Sequence, residues 1–146
     1  MSRRFDSRTN IFDPSGRIRQ VENALEAVNH GSLVIGIKCS DGVLLCAERG
    51  DQSKLLEPQQ EKIYKIDSHI VTGVVGVNSD GNTLVTRTRH QAQAHLKTFN
   101  SPITTEKLVN YVAQLKHVYT QYGGMRPFGV AMLIAGYDAA TSEYQL

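Results

Sequence analysis

Three polar residues at the ends of predicted strands form the candidate nucleophilic site of this sequence. Ser32 precedes one apolar stretch, Glu48 ends the next, and Lys62 precedes the third. A hydroxyl beside a lysine and a carboxylate, gathered at one end of a sheet, can form an activated nucleophile. Serine, glutamate and lysine are also common surface residues, so the three residues alone leave an ordinary surface role open.

The spacing of the histidines, cysteines and glycines gives little support for a metal site or a phosphate site. His90 and His95 are five positions apart and therefore do not share one face of a helix. The sequence has neither Cys-x-x-Cys nor His-Glu-x-x-His. Gly73, Gly76 and Gly81 punctuate a strand-to-helix junction, but they match neither common phosphate-loop spacing. We therefore expect surface or packing histidines, a tight strand-to-helix passage, and no cofactor.

The elements that position these residues follow from apolar periodicity. Ile18, Val21, Leu25 and Val28 recur at helical spacing, and Gly31 is suited to a left-handed position after that helix. Asp-Gly at 41–42 signals a hairpin whose turn accepts positive φ. Strands are predicted at 33–38, 43–47, 63–66, 70–77, 129–137 and from 143. Two helices are predicted between the fourth and fifth strands. The first is capped by Ser79 or Asp80 and ends near Thr98, and the second is capped by Thr104 and ended by Gly123-Gly124.

The order of the elements predicts the fold class. One helix, four strands, two helices and two strands occur in runs and not in alternation, which indicates an α+β fold. The first two strands are apolar at nearly every position, which predicts burial on both faces. Two adjacent helices can cover only one face of a sheet, so we expect this chain to be part of a longer fold.

Composition narrows the class of protein. The chain has 146 residues, 40% hydrophobic and 21% charged, which is enough for one domain with a core. Its apolar runs are far shorter than the roughly 20 residues that a bilayer span needs. A net charge of +2 does not indicate a nucleic-acid partner. We expect a soluble intracellular protein in which Cys39 and Cys46 are free thiols.

The first 13 residues are predicted to form an extended polar arm, and residues 14–146 the domain. The arm carries Arg3, Arg4, Asp6 and Arg8, and it lacks the apolar run and cleavage site of a signal peptide. A polar arm of this kind must be held by partners or remain mobile. The segment therefore indicates a protein that works through its neighbours.

Several stretches of this chain resemble proteasome α subunits. Phe5-Asp6, residues 11–17 (Ile-Phe-Asp-Pro-Ser-Gly-Arg) and residues 20–24 (Gln-Val-Glu-Asn-Ala) resemble the N-terminal signature of that family. Residues 61–66 resemble its third strand, and residues 119–130 resemble its helix-to-strand junction almost without change. The opening residues, including Ser7, most resemble the eukaryotic alpha type-4 subgroup.

The resemblance implies a four-layer αββα sandwich of the N-terminal-nucleophile hydrolase type, of which residues 14–146 would be the N-terminal part. It implies a non-catalytic subunit of a seven-membered ring in the 20S core particle of a threonine protease. The implied partners are other α subunits, β subunits, and regulatory particles or activators that bind through their C-terminal tails. The implied role is substrate gating in ubiquitin-dependent degradation, in the cytoplasm and nucleus, with neither nucleic acid nor membrane as a partner.

The resemblance also implies roles for individual residues. Ser32, Glu48 and Lys62 match a nucleophile site that has lost its base, because the nitrogen of Ser32 is a peptide amide. Lys62 and Gly31 match a pocket that receives an activator's terminal carboxylate. The alternative is a hydrolase that becomes active after cleavage between Gly31 and Ser32.

The gate cluster of the family corresponds to Phe5, Asp6, Pro14 and Asn23. The family has tyrosine at the first and last of these positions, so both phenolic hydroxyls are missing here. Each lost hydrogen bond is worth about 0.5–1.5 kcal/mol. We therefore expect this subunit to contribute less to an ordered open gate.

Overall fold

The computed structural model describes residues 9–48 and 61–146. The helices and strands expected over these ranges are present, with bounds close to those predicted. In chain order they are α1 (Arg19–Asn29), β1 (Val34–Lys38), β2 (Val43–Ala47), β3 (Ile63–Asp67), β4 (Ile70–Gly76), α2 (Asn78–Phe99), α3 (Thr105–Gln121), β5 (Val130–Asp138) and β6 (Glu143–Gln145).

The strands form two antiparallel sheets. β1 and β2 make a hairpin in which Val34 pairs with Ala47, and β3 to β6 make a four-stranded sheet in chain order. The longest ladder joins β4 to β5, from Ile70 opposite Gly136 to Gly76 opposite Val130. Helices and strands are segregated in the chain, so the predicted α+β class is confirmed.

The hairpin and the helices α2 and α3 cover opposite faces of the four-stranded sheet. On one face, a Cβ atom added to Gly73 would lie 3.7 Å from the Cβ of Val34 in β1. On the other face, Val74 contacts Gly81 in α2. The core lies between this sheet and its helices and comprises Ile66, Ile70, Val74, Leu84, Val85, Ala92, Ile103, Leu108, Val112, Val130 and Ile134.

The hairpin is buried on one face only, so the expectation of burial on both faces is wrong for the described residues. Ile35, Ile37 and Leu44 point away from the four-stranded sheet and are 45%, 51% and 54% exposed. Cys46 is also exposed, and both it and Cys39 are free thiols, as predicted. The reason is geometric, because α2 and α3 both lie beyond the four-stranded sheet and cannot reach this face.

The ends of the long helices agree in part with prediction. Thr104 caps α3, since its hydroxyl accepts from the Lys107 amide at 3.4 Å. α2 ends at Phe99, close to the predicted end near Thr98, and Asn100 follows it with a φ of 50°. The prediction that Ser79 or Asp80 caps α2 is wrong, because the helix begins at Asn78 and both residues lie in its first turn.

Three details of the hairpin and of α1 also differ from prediction. The turn at 39–42 closes through a hydrogen bond from the Cys39 amide to the Gly42 carbonyl at 2.8 Å, without positive φ at Asp41 or Gly42. Leu25 is 60% exposed, whereas Ile18, Val21 and Val28 are half-buried. Gly31 is not left-handed either, and its role is described below.

Among the described residues, no helix combines the length and hydropathy that crossing a membrane requires.

Candidate functional site

The structure brings Ser32, Glu48 and Lys62 together at one end of the hairpin. The Lys62 ammonium donates to the Ser32 hydroxyl in a short contact, and to the backbone carbonyl of Glu48 at 2.5 Å. The Glu48 carboxylate accepts from the Leu33 amide at 3.1 Å. Three residues from three strand ends therefore share one hydrogen-bonded cluster.

The strand pairing explains this convergence. Ser32 lies just before β1 and Glu48 just after β2, and the ladder extends past Val34 and Ala47 through a bond from the Glu48 amide to the Leu33 carbonyl at 2.8 Å. Lys62 precedes β3, and its carbonyl accepts from the Val74 amide at 2.8 Å, which extends the second sheet. Backbone ladders therefore hold Glu48, Lys62 and Leu33, the residue next to Ser32.

Glu48 takes a different part from the one that its carboxylate suggested. Its carbonyl oxygen meets the lysine, while its side chain binds a backbone amide of β1's leading segment. Ser32 lies between Gly31 and Leu33, so its nitrogen is an amide without a basic lone pair. What the cluster does in this form is hold one half-buried ammonium in place.

Gly31 lies beside this cluster, at the end of α1. Its amide donates to the Val28 carbonyl at 2.8 Å, and a Cβ atom here would collide with the Val75 side chain and lie 3.0 Å from the Gly76 nitrogen. Glycine is therefore required for close approach of two backbones and not for a left-handed conformation. This contact brings the α1 terminus against β4 next to Lys62.

Two of the four predicted gate residues, Phe5 and Asp6, lie outside the described residues. Pro14 and Asn23 are both exposed, the first in the turn before α1 and the second on α1 itself. Both side chains therefore lie at the surface, Pro14 in the turn and Asn23 on the helix that follows it.

Asp13, which the sequence reasoning missed, organises that turn. Its Oδ1 atom accepts from the Ser15 hydroxyl at 2.6 Å, the Ser15 amide at 2.9 Å and the Arg17 amide at 3.0 Å. Its Oδ2 atom pairs with Arg19 Nε at 2.8 Å. Gly16 completes the turn with a φ of 80°, which glycine adopts at little cost.

The same contacts lower the pKa of Asp13. The Ser15 hydroxyl has the largest effect, followed by the Arg17 amide, and together with the Arg19 charge they bring this pKa from 3.8 to about 2. The signal was present in the sequence, since aspartate at the first position of an Asp-Pro-x-Gly segment favours such a turn.

A second acidic residue, Asp80, joins distant parts of the chain. Arg126 donates to both of its oxygens, at 2.6 and 2.7 Å, and the Gly129 amide donates at 3.1 Å. The Arg126 hydrogen bonds lower the pKa of Asp80, and the carboxylate raises the pKa of Arg126. Arg126 borders a cavity of about 180 Å³ that Asn23 and Val77 also line.

A more apolar groove of about 210 Å³ separates α1 from α3, with Leu25 and Phe128 in its wall. Lys116 lies in this groove and donates to the Val130 carbonyl at 2.8 Å. Burial lowers the pKa of Lys116. Within ranges 9–48 and 61–146, no cluster of three or more histidine, cysteine or acidic residues could hold a metal ion.

Comparison with known proteins gives the chain a family. A family model described as "Proteasome subunit" matches residues 28–146. The chain is 49% identical to the probable proteasome subunit alpha type-3 of Schizosaccharomyces pombe, over 94% of this chain and 56% of that protein. It is 49% identical to the proteasome subunit alpha type-3 of Saccharomyces cerevisiae, over 94% of this chain and 54% of that protein.

A plant relative is named as an alpha type-4 subunit. The chain is 48% identical to the proteasome subunit alpha type-4 of Spinacia oleracea, over 94% of this chain and 56% of that protein. The chain thus spans about half the length of the curated relatives that it matches.

Proposed function

The chain belongs to the proteasome subunit family, as its motifs predicted, and on that premise we propose that it acts as a non-catalytic α-ring subunit of the 20S proteasome. The match over residues 28–146 and the relatives named alpha type-3 and type-4 support this role. The proposed partners are neighbouring α subunits, β subunits and activators. The proposed setting is ubiquitin-dependent degradation in the cytoplasm and nucleus.

The proposed fold is the αββα sandwich of the N-terminal-nucleophile hydrolases, with residues 1–13 as the gate arm and 14–146 as the N-terminal part of one domain. Three layers are supported by the described residues, namely α2 with α3, the four-stranded sheet and the β1–β2 hairpin. The exposed apolar face of Ile35, Ile37 and Leu44 is where the fourth layer would pack.

The absence of catalysis follows from the position of Ser32 within the chain. Its amide nitrogen cannot serve as the base that an N-terminal nucleophile uses. Cleavage between Gly31 and Ser32 would be needed to make a hydrolase, and the relatives named α subunits favour the ring role over that alternative. N-terminal sequencing of the purified protein tests this point, because a start at Ser32 would refute the non-catalytic role.

Activator docking is the proposed task of the site around Lys62. The observation that carries this proposal is the half-buried ammonium held by Ser32 and Glu48 beside Gly31. A lysine is a compact charge that suits a terminal carboxylate. Gly31, which packs against β4 without a side chain, keeps the end of α1 beside this lysine.

Replacement of the lysine tests docking directly. Lys62→Ala in the assembled particle should weaken binding of a carboxylate-ended activator tail, measured by fluorescence anisotropy. Lys65→Ala is the matched control, because Lys65 is an exposed lysine three residues further along, in β3. The same change in other subunits of the ring excludes compensation by their pockets. Equal affinities of the Lys62 and Lys65 variants would count against the proposal.

Gating is the second proposed task, and here this subunit differs from its family pattern. Asn23 replaces a tyrosine and is exposed on α1, on the far side of the turn held by Asp13. We expect Asn23→Tyr to raise peptide turnover by the activated particle, since it restores one gate hydroxyl worth about 0.5–1.5 kcal/mol. Asn23→Phe is the control without the hydroxyl, and equal turnover by the two variants would contradict the idea.

A further inference from the structure

We propose that Ser32 is a positioning residue for Lys62: its hydroxyl and the Glu48 carbonyl hold two of the three ammonium N–H groups and leave one for an incoming carboxylate. This inference rests on the proposed docking role. It gives Ser32 a present task, so that the residue is more than a remnant of a nucleophile site.

The number of N–H donors that Lys62 has available is the first step. A lysine ammonium has three N–H donors and no acceptor. Within the part of the chain that the structure describes, Lys62 donates to the Ser32 hydroxyl and to the Glu48 carbonyl, which accounts for two donors. The third donor can therefore meet one oxygen of a carboxylate.

The rigidity of the two acceptors is the second step. The Ser32 and Glu48 segments are joined by the bond between the Leu33 carbonyl and the Glu48 amide at 2.8 Å. The Glu48 carboxylate ties them again through the Leu33 amide at 3.1 Å. A flexible lysine normally loses much rotamer freedom when it binds a partner, and here that freedom is already restricted.

The consequence is selectivity for a terminal carboxylate over a terminal amide. A free ammonium can turn towards water or towards other carbonyl groups, whereas a held ammonium presents its third donor and its charge at one place. If Ser32 loses its hydroxyl, the lysine regains that freedom and the carboxylate loses its advantage. Overall packing of the pocket contributes equally to both kinds of peptide end.

The experiment measures the ratio of affinities for two synthetic peptides of one sequence, one with a free C-terminal carboxylate and one with a carboxamide. Binding is measured on the assembled particle. Ser32→Ala should reduce this ratio about three- to tenfold, which corresponds to the loss of one hydrogen bond. Ser32→Thr, which keeps a hydroxyl, should retain the ratio, and Ser32→Val, which has nearly the same shape as threonine, should lose it.

The outcomes separate this inference from the docking proposal. A ratio lowered in the alanine and valine variants and kept in the threonine variant supports the positioning role of Ser32. A ratio that falls in Lys62→Ala but not in Ser32→Val overturns that role alone, as does a threonine variant that behaves like valine. A ratio unchanged in Lys62→Ala overturns the docking role itself. If the alanine variant fails to assemble, the threonine and valine pair decides the question.

Discussion

The Asp80 and Arg126 pair gives a sharp prediction, because its two partners differ strongly in exposure. The side chain of Asp80 is 10% exposed, whereas that of Arg126 is 62% exposed. Removing Arg126 should cost only about 1 kcal/mol, since water screens an exposed guanidinium. Removing Asp80 should cost more, because the Gly129 amide loses its acceptor as well.

The expected cost of Asp80→Ala follows from its contacts. The buried Gly129 amide, which donates to Asp80 at 3.1 Å, would be left without this acceptor at a cost of about 1–3 kcal/mol. Loss of a negative charge in the first turn of α2 adds about 0.3–1 kcal/mol. Together with the ion pair to Arg126, the total is about 3 kcal/mol.

Chemical unfolding of the purified protein measures these costs. Urea unfolding followed by far-UV circular dichroism should place Arg126→Ala about 1 kcal/mol and Asp80→Ala about 3 kcal/mol below the parent. The double variant should show a coupling of about 1 kcal/mol. Asp41→Ala, in the exposed hairpin turn, is the control and should change stability by less than about 0.5 kcal/mol. Equal costs for the two single variants, or no coupling, would refute this reasoning.

Three further predictions concern the turn, the core and the backbone. The contacts of Asp13 lower its pKa from 3.8 to about 2, so their stabilisation should be complete above about pH 4 and be lost as the pH falls towards 2; a carboxyl carbon NMR titration with a midpoint near 4 would contradict this. Leu108→Ala should cost about 2–5 kcal/mol in urea unfolding because Leu108 is fully buried, while the neighbouring Val109→Ala, at a site 41% exposed, should cost far less; similar losses would argue against the assigned buried face of α3. Gly76→Ala should cost about 2 kcal/mol or more, since φ is +116° and a Cβ atom would overlap the Gly129 carbonyl. Gly42→Ala is the control and should be nearly neutral, because its Cβ would meet nothing. A thermal midpoint lower for the Gly42 variant than for the Gly76 variant would contradict this expectation.

Local patterns were sufficient to predict the elements and the family. The stripe of Leu108 and Val112 on α3 and the cap at Thr104 depend on residues within a turn or two of one another, so they are legible in the sequence. The proximity of Ser32, Glu48 and Lys62 agrees with their predicted places at strand ends. Where prediction erred locally at Gly31, the close approach of β4 explains why a glycine is present.

The tertiary structure decided which groups meet and through which atoms. Lys62 reaches the Ser32 hydroxyl across 30 positions, and Arg126 reaches Asp80 across 46, and no short-range pattern encodes either contact. That Glu48 offers its carbonyl and not its carboxylate to the lysine depends on how the hairpin lies against the second sheet. The sequence by itself determined the helices, the strands and the family, because periodicity and short motifs depend on residues that are close together in the chain. The placement of one ammonium between two strand ends depends on packing of distant segments, and only the folded chain specifies it.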